Sequence, residues 1–388
     1  MEESGEETDE QTGLCEMKQD KPLVSVIVPA YQAVDDLPRC LQSLSDQTYQ
    51  ELEILVIDDG SRDGTRDVME AVRKRDPRIR VFFQPHRGVS AARNRGIEES
   101  KGKFLVFCDA DDYTEKTYVE KMMAHSEQND LVVCGYDRVR EGKEKWVYRE
   151  SGSVPREELY ERALCGNEIG GSCWNKLFLM KIIADNALRF QEGISIGEDM
   201  LFCVSYYRFC RDIYYVGEAL YHYCFHSGSL MKAVSGGKQF NICLFSCLDA
   251  ADALASVTWT DGKTGTGRQE RRDRKKLREE KRQREEGAVG DGRKEEREKI
   301  AACISYRRIR SAVWLMYQMV SGKCADRAVF GRMKRMVRQS LPGCRRENYD
   351  TRLERFAAYG IAVCPGLVYR VGVTANLAAG AWLKRYLR

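Results

Sequence analysis

Two periodicities alternate along the chain from about residue 22. Short, nearly unbroken apolar runs, VSVIVPAY (24–31), ELEILVIDDGS (51–61), IRVFFQ (79–84), KFLVFCDADD (103–112) and LVVCGY (131–136), are interleaved with helical patterns. These are LPRCLQSLSDQ (37–47), GTRDVMEAVRKRD (64–76), GVSAARNRGIEES (88–100) and TEKTYVEKMMAHSEQ (114–128). Continuous apolar strands are buried on both faces, so the alternation predicts an α/β protein with a parallel sheet covered by helices on both sides. Ligands in such sheets bind outside the carboxyl ends of the strands. The unusual polar residues fall at those ends: Pro29-Ala30-Tyr31 after the first strand, Asp58-Asp59-Gly60-Ser61 after the second, Asp109-Ala110-Asp111-Asp112 after the fourth. One acidic crevice is expected.

Beyond residue 140 the pattern is less regular. Residues 140–260 mix aromatic-rich segments that predict helices and a few added strands, with 236–260 as a helical connection. Residues 261–300 hold 15 Lys/Arg and 11 Asp/Glu, a net of 15 − 11 = +4, with Leu277, Ala288, Val289 and Ile300 as the sizeable apolar groups. Such a stretch builds no core and predicts a charged insertion, either a solvated helix or disordered. Residues 301–388 are helical in pattern. Their end, GLVYRVGVTANLAAGAWLKRYLR, suits either a helix packed on its own domain or one lying on an anionic membrane surface.

Composition narrows the class. The net charge of +4 is small against 63 basic and 59 acidic residues, and the signs in 261–300 are intermixed, so no nucleic-acid partner is expected. Fifteen cysteines, odd in number and without a CxxC pair, suit buried thiols in a reducing compartment. The acidic residues 1–20 lack a signal peptide's apolar centre and read as a disordered tail. No run of 18 apolar residues occurs, so a cytoplasmic protein without a spanning helix is expected.

The acidic strand ends carry the candidate chemistry. Residues i and i+2 of an extended segment share a face, so Asp109 and Asp111 can point together while Ala110 turns away. Two hard oxygen donors beside an open space suit Mg2+ or Mn2+ shared with substrate phosphates; the plain alternative is a solvated Asp-rich turn. Asp58 and Asp59 either accept hydrogen bonds from a base or ribose, or cap a helix. With neither GxGxxG after a strand nor GxxxxGK[ST], phosphate falls to metal and basic groups, for which Arg93 is a candidate.

The ordered set VSVIVPAY, CLQSLSDQT, EILVIDDGSRDGT, GVSAARNRGI and FLVFCDADD resembles the family 2 glycosyltransferases of the GT-A fold. WNKLF (174–178), GED (197–199) and YHYCFHSGS (221–229) extend the likeness to about residue 230. The resemblance implies a transferase domain over 21–235 that binds a nucleotide-sugar, expected to be UDP-linked. It implies that Pro29, Ala30 and Tyr31 frame the base, that Asp58 and Asp59 read it, and that Asp109, Ala110 and Asp111 form the DXD element. Asp111 is then the metal ligand, with Asp109 on metal or ribose. Asp199 in GED matches the catalytic base of an inverting transfer, beside Glu198; a helix N-terminus is the alternative reading of GED. Trp174 either stacks on an acceptor sugar or fills core, and His226 either touches metal or diphosphate or is structural. The implied acceptor is a glycan or lipid-linked hydroxyl in surface-polysaccharide assembly at the inner face of a bacterial membrane. A nucleotidyltransferase would show a Gly-rich, basic first loop, which VPAYQAVDDL lacks. A non-catalytic binding protein on this scaffold is expected to have lost DXD or the base.

Overall fold

The computed structural model describes residues 21–140, 143–147, 150–165, 168–224, 242–256, 289–321, 324–344 and 352–374. The tail 1–20, His226, most of the 261–300 stretch and residues 375–388 lie outside them.

Three strands form the centre of a ten-stranded sheet: β1 (Val24–Ala30), β2 (Leu52–Asp58) and β4 (Phe104–Phe107). Every residue of the three is buried, as their unbroken apolar sequences predict. β1 pairs in parallel with both β2 and β4, and β3 (Ile79–Phe83) extends the sheet beyond β2. The chain thus runs outward from β1 to β3 and returns to β4 on the other side of β1. This order places a topological switch point at the carboxyl ends of β1, β2 and β4.

The connecting helices α1 (Leu37–Ser45), α2 (Thr65–Arg73) and α3 (Val89–Glu99) fall where the periodicity puts them. α1 buries Leu37, Cys40, Leu41 and Leu44, a single stripe at helical spacing. α3 lies tightly on β1: a Cβ on Gly96 would stand 2.4 Å from Ile27 Cγ2.

The sheet departs from a simple parallel array after β4. β5 (Tyr113–Thr114) and α4 (Tyr118–Met123) lead to β6 (Leu131–Arg140), but β9 (Lys176–Leu179) inserts between β4 and β6, antiparallel to both. β9 takes in the last three residues of WNKLF and Leu179, and its Lys176, Leu177 and Phe178 are buried. β10 (Ile213–Cys224) runs parallel to β6 and pairs antiparallel with β5, behind the acidic turn. β7 (Lys143–Val147) and β8 (Gly152–Ser153) pair with β6 and β10. Helices α5 (Arg156–Leu164), α6 (Glu168–Gly171), α7 (Met180–Asp185) and α8 (Glu198–Tyr207) complete this part.

A second core follows, built by α9 (Ser246–Ser256), α10 (Val289–Ser321), α11 (Arg327–Ser340), α12 (Arg352–Val363) and α13 (Pro365–Thr374). Leu248, Ile309, Leu315, Met319, Met333, Val337 and Ile361 lie in its centre. The expectation that the charged insertion runs to residue 300 is corrected. α10 starts at Val289, Glu296 Oε1 accepts from Arg156 Nη2 at 2.7 Å, and Ile300 is 4% exposed in the sheet-side core. Among the described residues no helix is long and apolar enough to cross a membrane.

Candidate active site

The crevice is assembled from three corners. At the first, Asp59 follows β2 directly, and its N–H donates to Ala30 O at 2.8 Å. Its carboxylate organises the loop after β3. Oδ1 accepts from Gln84 Nε2 (2.8 Å) and Arg87 N (2.9 Å), and Oδ2 from Gly88 N at 2.7 Å, with His86 Nδ1 at 2.8 Å. His86 in turn stacks on Tyr31, ring centroids 4.1 Å apart, and Tyr31 is 45% exposed. A flat aromatic pair therefore stands at the mouth, above buried Pro29 and Ala30. Gly60 permits this approach: its φ is +82°, and a Cβ there would meet His86 N at 2.8 Å. His86 escaped the sequence analysis because QPHRG reads as a plain turn; its place, three residues past a strand beside two acids, was the available signal. Asp58 corrects the expectation of a base contact. It is fully buried, with Oδ2 taken by Arg66 Nε (2.7 Å) and Oδ1 by Ser61 N (3.0 Å), so it braces the turn.

The second corner is the acidic turn after β4, closed by Asp112 N–H on Asp109 O at 3.1 Å. Ala110 is buried. The Asp111 carbonyl accepts from Arg39 Nη2 at 2.6 Å, and Asp109 Oδ1 from Arg93 Nη2 at 2.9 Å. Asp112 is fully buried, and its carboxyl is pushed well up, by burial first and then by the charges of Asp111 and Asp109. The same three carboxylates help to raise Tyr223, after its burial. The strand end therefore carries surplus negative charge on hard oxygens, which fits a divalent cation of the Mg2+ or Mn2+ type. Among the described residues no group of three or more His, Cys, Asp or Glu forms a cage, so Asp109 and Asp111 would leave the other positions to donor oxygens.

The third corner is the start of α8. Gly197, in the left-handed region, turns the chain so that Glu198 and Asp199 occupy the first helical turn, where acids are favoured. Glu198 is buried and accepts from Arg93 Nη1 at 3.0 Å. Burial, then the neighbouring Asp199, push its carboxyl up to about 7, against the pull of Arg93. The Asp199 carboxyl is also raised, by burial first, with Arg93, the Met200 N–H and Lys176 opposing and Asp109 adding. Asp199 Oδ1 accepts from Met200 N at 2.7 Å.

Arg93 corrects another expectation. It is 4% exposed and spans Asp109 and Glu198, with Phe190 5.2 Å from its guanidinium carbon, so it ties the second corner to the third and does not face a phosphate. Trp174 is core: it stacks on Tyr221 at 4.5 Å and Tyr223 at 5.6 Å, meets Tyr136 edge-on and is 7% exposed.

A mixed sheet with a switch-point crevice, an acidic turn after its fourth strand and a helical C-terminal region is the architecture of the GT-A nucleotide-sugar transferase fold. The crystal structure of S. aureus TarS 1–349 in complex with UDP-GlcNAc shares it, with a TM-score of 0.51 at 19% identity over 84% of this chain and 93% of that one. Residues 25–186 match the glycosyl transferase family 2 model, and this part of the chain belongs to that family. EpsH of Bacillus subtilis, named as a glycosyltransferase, is 34% identical over 217 residues, 54% of this chain and 63% of EpsH. YibD of Escherichia coli K12, also so named, is 30% identical over 236 residues, 56% of this chain and 66% of YibD. The matched region thus spans just under two thirds of each relative.

Proposed function

We propose that the protein is an inverting, metal-dependent glycosyltransferase. It moves a sugar from a UDP-sugar to a hydroxyl of a glycan or lipid-linked acceptor in surface-polysaccharide synthesis. The observation that carries this reading is the Arg93 bridge, which joins Asp109 of the acidic turn to Glu198, the residue before Asp199. Inversion at an anomeric carbon needs a carboxylate opposite the leaving diphosphate, to take the acceptor's proton. Asp199 fills that role, since burial keeps its carboxyl basic enough to accept a proton. Tyr31 and His86 hold the base, and the Asp59-anchored loop shapes the ribose end. Asp109 and Asp111 would hold Mg2+ or Mn2+, which when bound stabilises charge developing on the diphosphate. The UDP-GlcNAc held by TarS makes that sugar the first donor to try. Contact with the membrane's inner face falls to the C-terminal helices, where Tyr359, Val363 and Leu367 are exposed.

The test is turnover of UDP-sugars with a cell-envelope extract as acceptor. Asp199→Asn is expected to lower turnover by about 10²–10⁴, while donor affinity changes by less than about tenfold. Loss of donor binding in this variant places Asp199 on the donor side and removes it as the base. Asp111→Asn and excess EDTA are each expected to abolish turnover, and full activity under either refutes the metal assignment.

A further inference from the structure

The transfer chemistry uses Asp109 and Asp111 but leaves unexplained the third acid of the turn and the tyrosine behind it. Asp112 is fully buried, yet its side chain meets two neutral donors: Tyr221 Oη at 2.6 Å on Oδ2 and Cys224 N at 2.8 Å on Oδ1. Tyr221 Oη also accepts the Asp109 main-chain N–H, at 3.1 Å. One hydroxyl thereby joins the first and last residues of the turn, donating to one and accepting from the other. Tyr221 itself is immobilised: it is fully buried, stacked on Trp174 and fixed in β10 opposite Thr114 and Tyr136. The middle of the turn is held from the opposite side by Arg39 on the Asp111 carbonyl. The backbone carrying both metal-facing carboxylates is thus fixed at its ends by β10 and at its centre by α1.

We propose that Tyr221 and Asp112 form a hydrogen-bonded clamp that positions Asp109 and Asp111 for the divalent cation, so that both are positioning residues. The proposal rests on the metal-dependent donor binding put forward above. Outer groups that orient ligands in this way typically control metal affinity by about 10–100-fold when removed. Tyr221→Phe deletes one oxygen and keeps the ring packing on Trp174.

The experiment measures UDP affinity by calorimetry in EDTA and in excess MnCl2. Tyr221→Phe is expected to match wild type in EDTA, where only the base end contributes, and to lose about 10–100-fold in MnCl2. A purely structural role would move both values together. Asp112→Asn is expected to lower the MnCl2 value as well, and the double variant to be no weaker than the weaker single one, because both changes open the same clamp. Equal manganese gains in wild type and Tyr221→Phe, or losses that add in the double variant, overturn the clamp. Wild type that binds UDP without any manganese gain removes the metal reading and the clamp with it; wild type that does not bind UDP removes the donor assignment. If Tyr221→Phe loses its cooperative unfolding, Asp112→Asn alone decides by the same comparison.

Discussion

Glu198 and Asp199 are adjacent carboxylates with different surroundings: Arg93 pairs with Glu198 and Asp109, and in the proposed transfer Asp199 is the carboxylate that meets the acceptor. Because burial raises the Asp199 carboxyl, turnover should rise with pH along an acid limb lying above the ordinary carboxylate range. Glu198→Gln swaps a carboxyl that is protonated below about 7 for a neutral amide of the same size, so the limb should stay in place and kcat at alkaline pH should be kept. A kcat profile between pH about 5 and 9 reads this, and a limb that moves by about a unit or more would show that Glu198 is charged along it. Stability carries the opposite sign. Glu198 titrates near 7 when folded against 4.5 as its ordinary value, so the native state holds a proton that the unfolded chain releases between these values. Stability should therefore fall as pH rises through that window, and Glu198→Gln should flatten the slope.

At the level of elements, the close contact of α3 with β1 sets the position of Arg93, three residues before Gly96. A methyl group at Gly96 would stand 2.4 Å from Ile27 Cγ2 and 2.9 Å from its Cγ1, so Gly96→Ala must push α3 off the sheet. The expected cost is about 1–3 kcal/mol of unfolding free energy, the usual range for overpacking, measured by urea denaturation; a neutral result would mean that Ile27 repacks freely. Five of the six strands and the four helices from 24 to 136 were legible in the sequence because each carries one clean period and local spacing decides it, whereas the two-residue β5 (Tyr113–Thr114) was not. Nor was β9: it is four residues long, and only its pairing with β4 and β6 makes it a central strand. The site divides in the same way. Asp59, Asp109, Asp111 and Asp199 sit at element ends, which sequence order fixes. Whether Arg93, Asp58 and Trp174 face the crevice or the core depends on contacts 8 to 105 residues away, such as Arg66 to Asp58 and Arg93 to Glu198, which no local pattern encodes.

The whole molecule is joined by α10, a helix of 33 residues that serves both cores. Ile300 and Cys303 belong to the sheet-side core, whereas Ile309, Ala312, Leu315 and Met319 belong to the helical one. Polar ties reinforce the junction: Glu296 with Arg156, and Arg310 Nη1 on Cys165 O at 2.9 Å. The composition of 262–288, where Leu277 and Ala288 are the apolar side chains, gives that stretch little to bury. Loop length changes closure entropy only slowly, by about 0.6 kcal/mol per doubling. Replacing 262–288 with a short Gly/Ser linker should therefore leave the thermal midpoint and UDP binding nearly unchanged. Extending the deletion to 299 removes Glu296 and the first turns of α10 and leaves Arg156, whose side chain is 24% exposed, without that partner. Arg156 keeps Cys210 O as an acceptor at 3.3 Å, so the second deletion should lower stability by roughly 1.5–3 kcal/mol, the scale of one lost hydrogen bond to a charged group. Comparing thermal unfolding of the two variants checks the boundary at Val289. Equal midpoints would mean that the start of α10 contributes nothing to the junction, and collapse of the shorter deletion would mean that 262–288 packs.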